Sequence, residues 1–307
     1  MTTRGRARRL MPAPATRPSR VAQLAPFVFV LFWSTGFVVA KYGTHDAGPL
    51  TFLGIRMVIA TTGLWLFARA TSAPPISRTS ARWAAVSGLG MHAAYLGGVF
   101  LAISWGMPAG VSALIAGLHP VITTVTARAV LGERLHRLQW LGVGLGFIGV
   151  VVVVIDKVRT HGGGMSAGAL LAAAASVLGM VFGTLVQRRH GREMPLIRGT
   201  AVQYAASAVV LLLGAWVHEG FRFTPTPRSM FALAWAVLVL SIAAVLIMLW
   251  LLQRHAAAKV SSLFFLTPAL SAAEGAVLFG ERFSVLALVA LVAALVGVAL
   301  TLRVSPN

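Results

Sequence analysis

The sequence has no cysteine and very few acidic residues. Its 307 residues contain 7 Asp and Glu against 26 Lys and Arg, which gives a formal net charge of +19. Without thiols the chain forms neither disulfides nor thiolate metal sites. With so few carboxylates there is little material for paired-acid catalysis, and the sequence has no glycine-rich P-loop for a nucleotide. We therefore expect no enzymatic activity, no resident metal and no cofactor.

Charged residues are also sparse, and they lie between long apolar runs. Hydrophobic residues make up 58% of the chain and charged residues 11%, with a mean hydropathy of +0.84. A helix needs about 20 mainly apolar residues to cross a bilayer, and these runs lack the alternation of barrel strands. The pattern predicts an all-α membrane protein. Its ten transmembrane helices are expected at residues 22–42, 49–68, 83–104, 109–130, 138–155, 166–187, 196–217, 230–252, 259–280 and 284–303.

The basic residues are divided unevenly between the two sides of this predicted topology. If the N-terminus is cytoplasmic, 19 Lys and Arg lie on the cytoplasmic side, six lie outside and Arg56 lies within a span. Because positive residues favour the cytoplasmic side, we expect both termini in the cytoplasm. A basic, disordered tail is predicted at 1–21, before a retained first helix. The dispersed arginines match no nucleic-acid-binding motif, so we expect no nucleic-acid partner.

One short phrase occurs twice in the chain. Pro120–Ile122 is followed by Gly132–Arg134, and 148 residues later Pro268–Leu270 is followed by Gly280–Arg282. A repeat of about half the chain within apolar sequence indicates two similar membrane halves, and an odd number of helices per half inverts the second. We expect two inverted five-helix repeats around a central cavity. The predicted division is a tail at 1–21, repeats at 22–157 and 166–303, a glycine-rich linker at 158–165 and a C-terminal tail at 304–307.

Four stretches of the sequence carry a family resemblance, namely residues 32–35, 49–56, 120–135 and 140–150. Together with the span count, they make the chain resemble the EamA-type, ten-helix branch of the drug/metabolite transporter superfamily. The resemblance implies two inverted five-helix repeats that enclose a central cavity and export small metabolites, often amino acids. Within that superfamily, the first stretch and His119–Pro120 make the chain similar to bacterial aromatic-amino-acid exporters.

Polar and aromatic side chains inside apolar spans are costly unless a partner or a ligand compensates them. His92 and Tyr95 share one face of the third helix, and His119 lies in mid-span. Trp33 lies far from the span ends, where tryptophans usually gather. We expect a cavity lining, although ordinary packing or a histidine bonded to a neighbouring carbonyl also explains these residues. The predicted substrate-binding residues are Trp33, His92, Tyr95, His119, Met180, Phe182, Phe264 and Phe265.

Four further residues are predicted to act in gating or in the structure. Pro120 and Pro268 hold equivalent positions, and each removes a backbone donor, so they favour paired helix breaks over simple packing kinks. Arg56 and Glu274 lie at a similar predicted depth, roughly 10 Å below the outer surface. We expect them to pair with each other, or each with another partner, in an external gate or substrate anchor. The alternative is that Arg56 snorkels to the interface.

The function that these patterns favour is a secondary transporter that exports small metabolites, amino acids first, by alternating access across the inner membrane. Amphiphilic drugs and nucleoside-like metabolites are alternative substrates, and a channel is an alternative mechanism. Ion-coupled transport and facilitated, gradient-driven efflux fit the sequence equally well. The expected partners are a small-molecule substrate and the lipid bilayer. We expect a monomer, with a dimer as the alternative.

Overall fold

The computed structural model describes residues 20–131, 136–160, 166–254 and 266–303, and its regular structure within these ranges is helical. Seven helical segments are long and apolar enough to cross a membrane, and three shorter apolar helices accompany them. The prediction of an all-α membrane protein with ten spans is therefore confirmed. In chain order the spans contain the helices Arg20–Asp46 (span 1), Pro49–Ala70 (span 2), Arg78–Gly88, Leu89–Ala94 and Tyr95–Ser104 (span 3), Ala109–Ala116 and His119–Leu131 (span 4), Arg137–Thr160 (span 5), Ala167–His190 (span 6), Leu196–Glu219 (span 7), Pro227–Trp235, Ala236–Ala243 and Ala244–Arg254 (span 8), Leu266–Phe279 (span 9) and Val285–Arg303 (span 10).

The two halves of the chain form a repeated bundle. At the offset of 148 residues, spans 1 to 5 correspond to spans 6 to 10. Three equivalent pairs pack directly against each other, namely span 2 with span 7, span 4 with span 9, and span 5 with span 10. The other main contacts obey the same symmetry, because span 3 packs on span 6 and span 1 packs on span 8. Five spans per repeat is an odd number, so the second repeat crosses the membrane in the opposite sense.

Two equivalent spans each contain a π-helical stretch. It covers Leu89–Ala94 in span 3 and Ala236–Ala243 in span 8, and the two ranges overlap when the first is shifted by 148 residues. After the first stretch, the N–H of Tyr95 bonds the carbonyl of Gly90, five residues back instead of four. One extra residue is thus wound into the turn, which changes the direction of the side chains around it. Hydropathy did not indicate these stretches.

Span 4, which we predicted over 109–130 with a break favoured at Pro120, is indeed two helices. Its first helix ends at Ala116, and a tight turn follows in which the N–H of Leu118 bonds the carbonyl of Ile115. The second helix begins at His119. Pro120 therefore lies in the first turn of a new helix, where its missing N–H removes no intrahelical bond. The break exists, but it precedes the proline.

Pro268 of span 9 packs against this break. It is buried, and a Cβ added to Gly117 would lie 2.8 Å from its Cγ, so the glycine is needed for the close approach. Pro268 is the third residue of the helix Leu266–Phe279, and the helix break that we predicted there lies outside the described residues. The proline of one repeat therefore contacts the broken span of the other.

Spans 5 and 10 meet along a seam of small residues. A Cβ added to Gly297 would lie 2.6 Å from the carbonyl oxygen of Gly142, and one added to Gly149 would lie 2.5 Å from that of Ala290. Both obstacles are backbone atoms, which cannot rotate away as a side chain would. Small residues allow membrane helices to approach this closely, and here they join the two repeats.

Candidate functional site: a cavity between the repeats

A cavity lies between spans 1, 2 and 3 of the first repeat and spans 6, 7 and 8 of the second. Its empty volume is about 700 Å³, including space open to solvent. A cleft that is mainly apolar with a few polar groups is typical of a site for a small organic molecule. Its wall consists of Trp33, Gly36, Phe37, Arg56, Met91, His92, Tyr95, Leu96, Val99, Phe100, Met180, Tyr204 and Leu240.

Five residues singled out in the sequence meet at this cavity. Trp33, His92, Tyr95 and Met180 lie in its wall, and Arg56 joins them from span 2. His92 belongs to the π-helical stretch of span 3, and Tyr95 follows it three residues later. The structure thus brings these side chains together, and their contact with a substrate stays a prediction.

Phe182 does not line the cavity, so our prediction for it was wrong. Its side chain is 53% exposed on the outside of the bundle. The reason is geometric, because residues two apart on an α-helix point about 200° away from each other. With Met180 facing inward, Phe182 must face outward. Phe264 and Phe265, which we also predicted to bind substrate, lie outside the described residues.

His119 is also absent from the cavity wall. Its Nδ1 lies 3.1 Å from the carbonyl oxygen of Ala116, at the break in span 4. In a continuous helix the N–H of residue 120 would bond this carbonyl, but Pro120 has no N–H. With a proton on Nδ1, His119 supplies the donor that the proline lacks. The imidazole thus bonds a carbonyl of its own span, and contact of His119 with a substrate stays a prediction.

Arg56 is buried at the cavity wall, with 6% of its surface exposed. Its Nε donates a hydrogen bond of 2.9 Å to the hydroxyl oxygen of Ser241, and Ser241 also bonds the hydroxyl of Tyr204. Ser241 belongs to the π-helical stretch of span 8. One serine hydroxyl thus connects spans 2, 7 and 8. Among the described residues, no carboxylate forms an ion pair with Arg56.

Glu274 is not the partner of Arg56, so the predicted direct pair is wrong. The hydroxyl of Ser34 donates to Oε1 of Glu274 over 2.6 Å, while Oε2 is buried without a hydrogen-bond partner in the described part of the chain. Each charged group instead has its own hydroxyl partner, on span 8 for Arg56 and on span 1 for Glu274. A role of either residue in an external gate or as a substrate anchor stays a prediction.

A chain of polar side chains holds His92 in place. Nε2 of His92 lies 3.2 Å from Oε1 of Gln203, and Nε2 of Gln203 donates to Oε1 of Gln187 over 2.9 Å. The His92 ring also meets the ring of Tyr204 edge to face, with the centroids 4.7 Å apart. These contacts join spans 3, 6 and 7 and fix the orientation of the imidazole at the cavity.

Sequence analysis missed four residues of this network, namely Gln187, Gln203, Tyr204 and Ser241. Gln203 and Tyr204 are adjacent polar residues within apolar span 7, and polar groups in hydrocarbon are costly. That cost is a signal from which the pair could have been found. A lone serine in an apolar span carries no such signal, so the role of Ser241 follows from the fold alone.

At the end of the bundle where Lys41 lies, Glu281 ties three spans together. Its carboxylate accepts the N–H of Ala109 over 2.9 Å and that of Gly110 over 3.1 Å, at the start of span 4. Lys41 of span 1 forms an ion pair with it at 2.9 Å and lies over the ring of Phe279. The Glu281 side chain is only 6% exposed. We call the group of Lys41, Ala109, Gly110 and Glu281 the Glu281 latch.

The cavity offers its occupant one positive charge, hydrogen-bonding groups and a large apolar surface. In the part of the chain that the structure describes, no group of three His, Cys, Asp or Glu side chains is placed to hold a metal ion. The charge, the hydrogen-bonding groups and the apolar surface of the cavity are suited to binding a molecule rather than to catalysing a reaction on it. A repeated helical bundle with such a cavity defines a multi-pass membrane transporter. The chain matches the EamA-like transporter family over residues 21–155 and 167–303, and it belongs to that family.

Curated relatives from two bacteria agree with this membership. A "Probable amino-acid metabolite efflux pump" of Escherichia coli (strain K12) is 27% identical over 276 residues, which are 87% of this chain and 89% of the relative. An "Uncharacterized inner membrane transporter YedA" of the same strain is 25% identical over 86% of this chain and 87% of its own length. An "Uncharacterized transporter YvbV" of Bacillus subtilis (strain 168) is 27% identical over 86% of this chain and 85% of its own. These names indicate a transporter rather than an enzyme.

The fold also matches a solved structure. A crystal structure described only as "Crystal structure of protein" superposes with a TM-score of 0.64, at 22% sequence identity, over 90% of this chain and 94% of its own. At this identity the likeness supports the fold and nothing further. The family membership therefore rests on the sequence match, and the architecture on both.

Proposed function

We propose that the protein is a secondary transporter that exports small metabolites, amino acids first among them, by alternating access across the bacterial inner membrane. The observation that carries this proposal is the cavity between the repeats, where buried Arg56 and Tyr204 meet an apolar and aromatic wall. A site between inverted repeats suits alternate exposure to the two sides of a membrane. The printed name of the Escherichia coli relative, a probable amino-acid metabolite efflux pump, supports the substrate class.

In this proposal both termini are cytoplasmic, as the distribution of Lys and Arg favours. The Lys41 end then faces outside, and the Glu281 latch closes the outer route to the cavity. Repeats 22–157 and 166–303 are the halves that move, and the contact of Pro268 with the break before Pro120 is a flexible point between them. We propose a monomer as the working unit, with a dimer as the alternative.

Purified protein in liposomes tests the proposed function. Vesicles preloaded with unlabelled L-phenylalanine are expected to take up labelled L-phenylalanine by exchange, saturably and stereoselectively. A competition panel of amino acids, nucleosides and cationic amphiphilic drugs then ranks the substrate classes. A flux that neither saturates nor distinguishes enantiomers would indicate a channel and contradict alternating access.

Two residues of span 6 provide a matched pair of variants. Met180→Ala is expected to raise the KM for the best substrate about tenfold, because burying a side chain of this size is worth about 1.5–3 kcal/mol. Phe182→Ala, two residues away and facing outward, is expected to leave the KM unchanged. The measurement is initial exchange rate against substrate concentration in liposomes. Equal effects of the two substitutions would contradict the assignment of the cavity.

A further inference from the structure

Arg56 brings a positive charge into the bundle, and the described residues supply no negative charge to meet it. The side chain is buried at the cavity wall, and its hydrogen bond to Ser241 uses Nε alone. A guanidinium has five N–H donors, so the donors on its two Nη atoms remain. No acceptor in the described part of the chain takes them. A charge buried in this way is costly unless a partner compensates it.

The surroundings of Arg56 fix the direction in which a partner must approach. The Nε edge of the guanidinium is held by Ser241, and Ser241 is held in turn by the hydroxyl of Tyr204. Because the group is planar, fixing one edge also fixes the plane of the other. The Nη edge then presents parallel N–H donors, a geometry that suits the two oxygens of a carboxylate. Arg56 is therefore oriented before any ligand arrives.

The rest of the cavity wall suits an apolar body. Trp33, Phe37, Phe100 and Leu240 contribute aromatic and aliphatic surface, and the described wall contains neither Asp nor Glu. A cationic ligand would thus meet Arg56 without a compensating carboxylate. An anionic ligand would supply the charge that Arg56 lacks.

We propose that this cavity selects organic carboxylates, with the Nη edge of Arg56 binding the carboxylate and the aromatic wall holding an apolar body. The inference rests on the proposed function only in taking the cavity as the transport site. It narrows the substrate class to carboxylates, including amino acids, and excludes amphiphilic cations. The carboxylate is the recognised group, and an amino group on the ligand is not required for binding.

Three probes of nearly the same shape differ in the charged groups that they carry, so they test the contribution of each charge to binding. They are L-phenylalanine, 3-phenylpropionate, which lacks the amine, and phenethylamine, which lacks the carboxylate. Binding is measured with purified protein in phosphatidylcholine nanodiscs, so that no anionic lipid competes for Arg56. Wild-type protein is expected to bind 3-phenylpropionate at least about tenfold more tightly than phenethylamine, the effect of one charge-assisted bidentate contact. Equal or tighter binding of phenethylamine would overturn the proposal, without any variant.

The variants then assign this preference to Arg56. Arg56→Gln is expected to abolish the preference for 3-phenylpropionate, and Arg56→Lys to keep a reduced one, since Lys retains the charge but not the planar fork. Ser241→Ala is the matched control, because it keeps the guanidinium and removes only its fixed orientation. It should weaken 3-phenylpropionate binding and preserve the preference. An Arg56→Gln protein that folds, as judged by its melting temperature, and still prefers the anion would refute the assignment.

Flux measurements distinguish this inference from the proposed function. Saturable transport of phenethylamine but not of 3-phenylpropionate would support the proposed exporter and contradict the proposed anion site. Tight, Arg56-dependent binding of 3-phenylpropionate with no carrier-mediated flux of any probe would support the anion site and contradict the proposed exporter. The two claims therefore fail in different assays.

Discussion

Glu281→Ala is expected to lower export at least tenfold and to expose the cavity from the Lys41 end. The carboxylate joins spans 1, 4 and 9 through Lys41 and the N–H groups of Ala109 and Gly110. Its removal leaves two backbone donors without their acceptor, at about 1–3 kcal/mol each. A loss of about 3 kcal/mol would shift the balance between closed and open forms about a hundredfold. A transporter held open on one side cannot complete its cycle.

The absence of native cysteine makes this opening directly measurable. A single reporter, Val99→Cys, lies in the cavity wall about one and a half turns before span 3 ends at Ser104. In the parent protein Val99 is 3% exposed, so a membrane-impermeant maleimide added to intact cells should label the reporter slowly. With Glu281→Ala in the same chain, the labelling rate should rise at least about tenfold. Glu281→Gln, which keeps one carbonyl acceptor, should give an intermediate rate.

Glu219 provides the matched control for this experiment. It caps the start of span 2 at the same end of the bundle, where its carboxylate accepts the N–H groups of Leu50 and Thr51 at 2.9 and 2.8 Å. Glu219 joins only spans 2 and 7, whereas Glu281 also holds span 1 through Lys41, so losing the Glu219 cap should reduce stability without opening a route. If Glu219→Ala raised labelling as much as Glu281→Ala, the latch would have no special part in closure.

The ten spans, the repeat and four of the predicted cavity residues could be recognised in the sequence, because each depends on position along the chain. Hydropathy measures the length of an apolar run, and the cost of polar groups in lipid marks Trp33, His92 and Tyr95 by their depth. The repeated phrase around Glu281 was also visible, although its part in tying span 9 to span 4 was not. Position along a helix is thus the information that the sequence carries well.

The sequence does not show in the same way which face of a helix points toward the cavity. In an amphipathic helix, the polar side shows by contrast which face is buried. A span that is apolar on all sides has no polar side, so its sequence does not show which face points into the bundle. Phe182 was placed in the cavity for that reason, although it faces outward. The partners of His119 and Arg56 could not be chosen either, because depth alone does not say which neighbouring span lies closest. The π-helical stretches and the break at Gly117 depend on contacts between the repeats, which no local pattern records.

Gly297→Ala is expected to be strongly destabilising, because it adds a methyl group in the seam between spans 5 and 10. Its Cβ would lie 2.6 Å from the carbonyl oxygen of Gly142, closer than real Cβ contacts allow, and the backbone of span 5 cannot rotate away. The spans must therefore separate along a seam that joins the repeats. Overpacking a well-packed core costs about 1–3 kcal/mol or more, so we expect the melting temperature in detergent to fall by about 10 °C.

Gly144→Ala, on span 5 but with open space around the added methyl group, separates this clash from the general effect of replacing a glycine. An added Cβ at Gly144 meets no atom within 4 Å. Alanine in place of glycine improves helix propensity by about 1 kcal/mol, so the melting temperature should stay level or rise slightly. The opposite signs of the two shifts are the expected result, since both variants add one methyl group to the same helix pair. If Gly297→Ala melted no lower than Gly144→Ala, the close approach of spans 5 and 10 would be wrong, and with it the arrangement that places the cavity between the repeats.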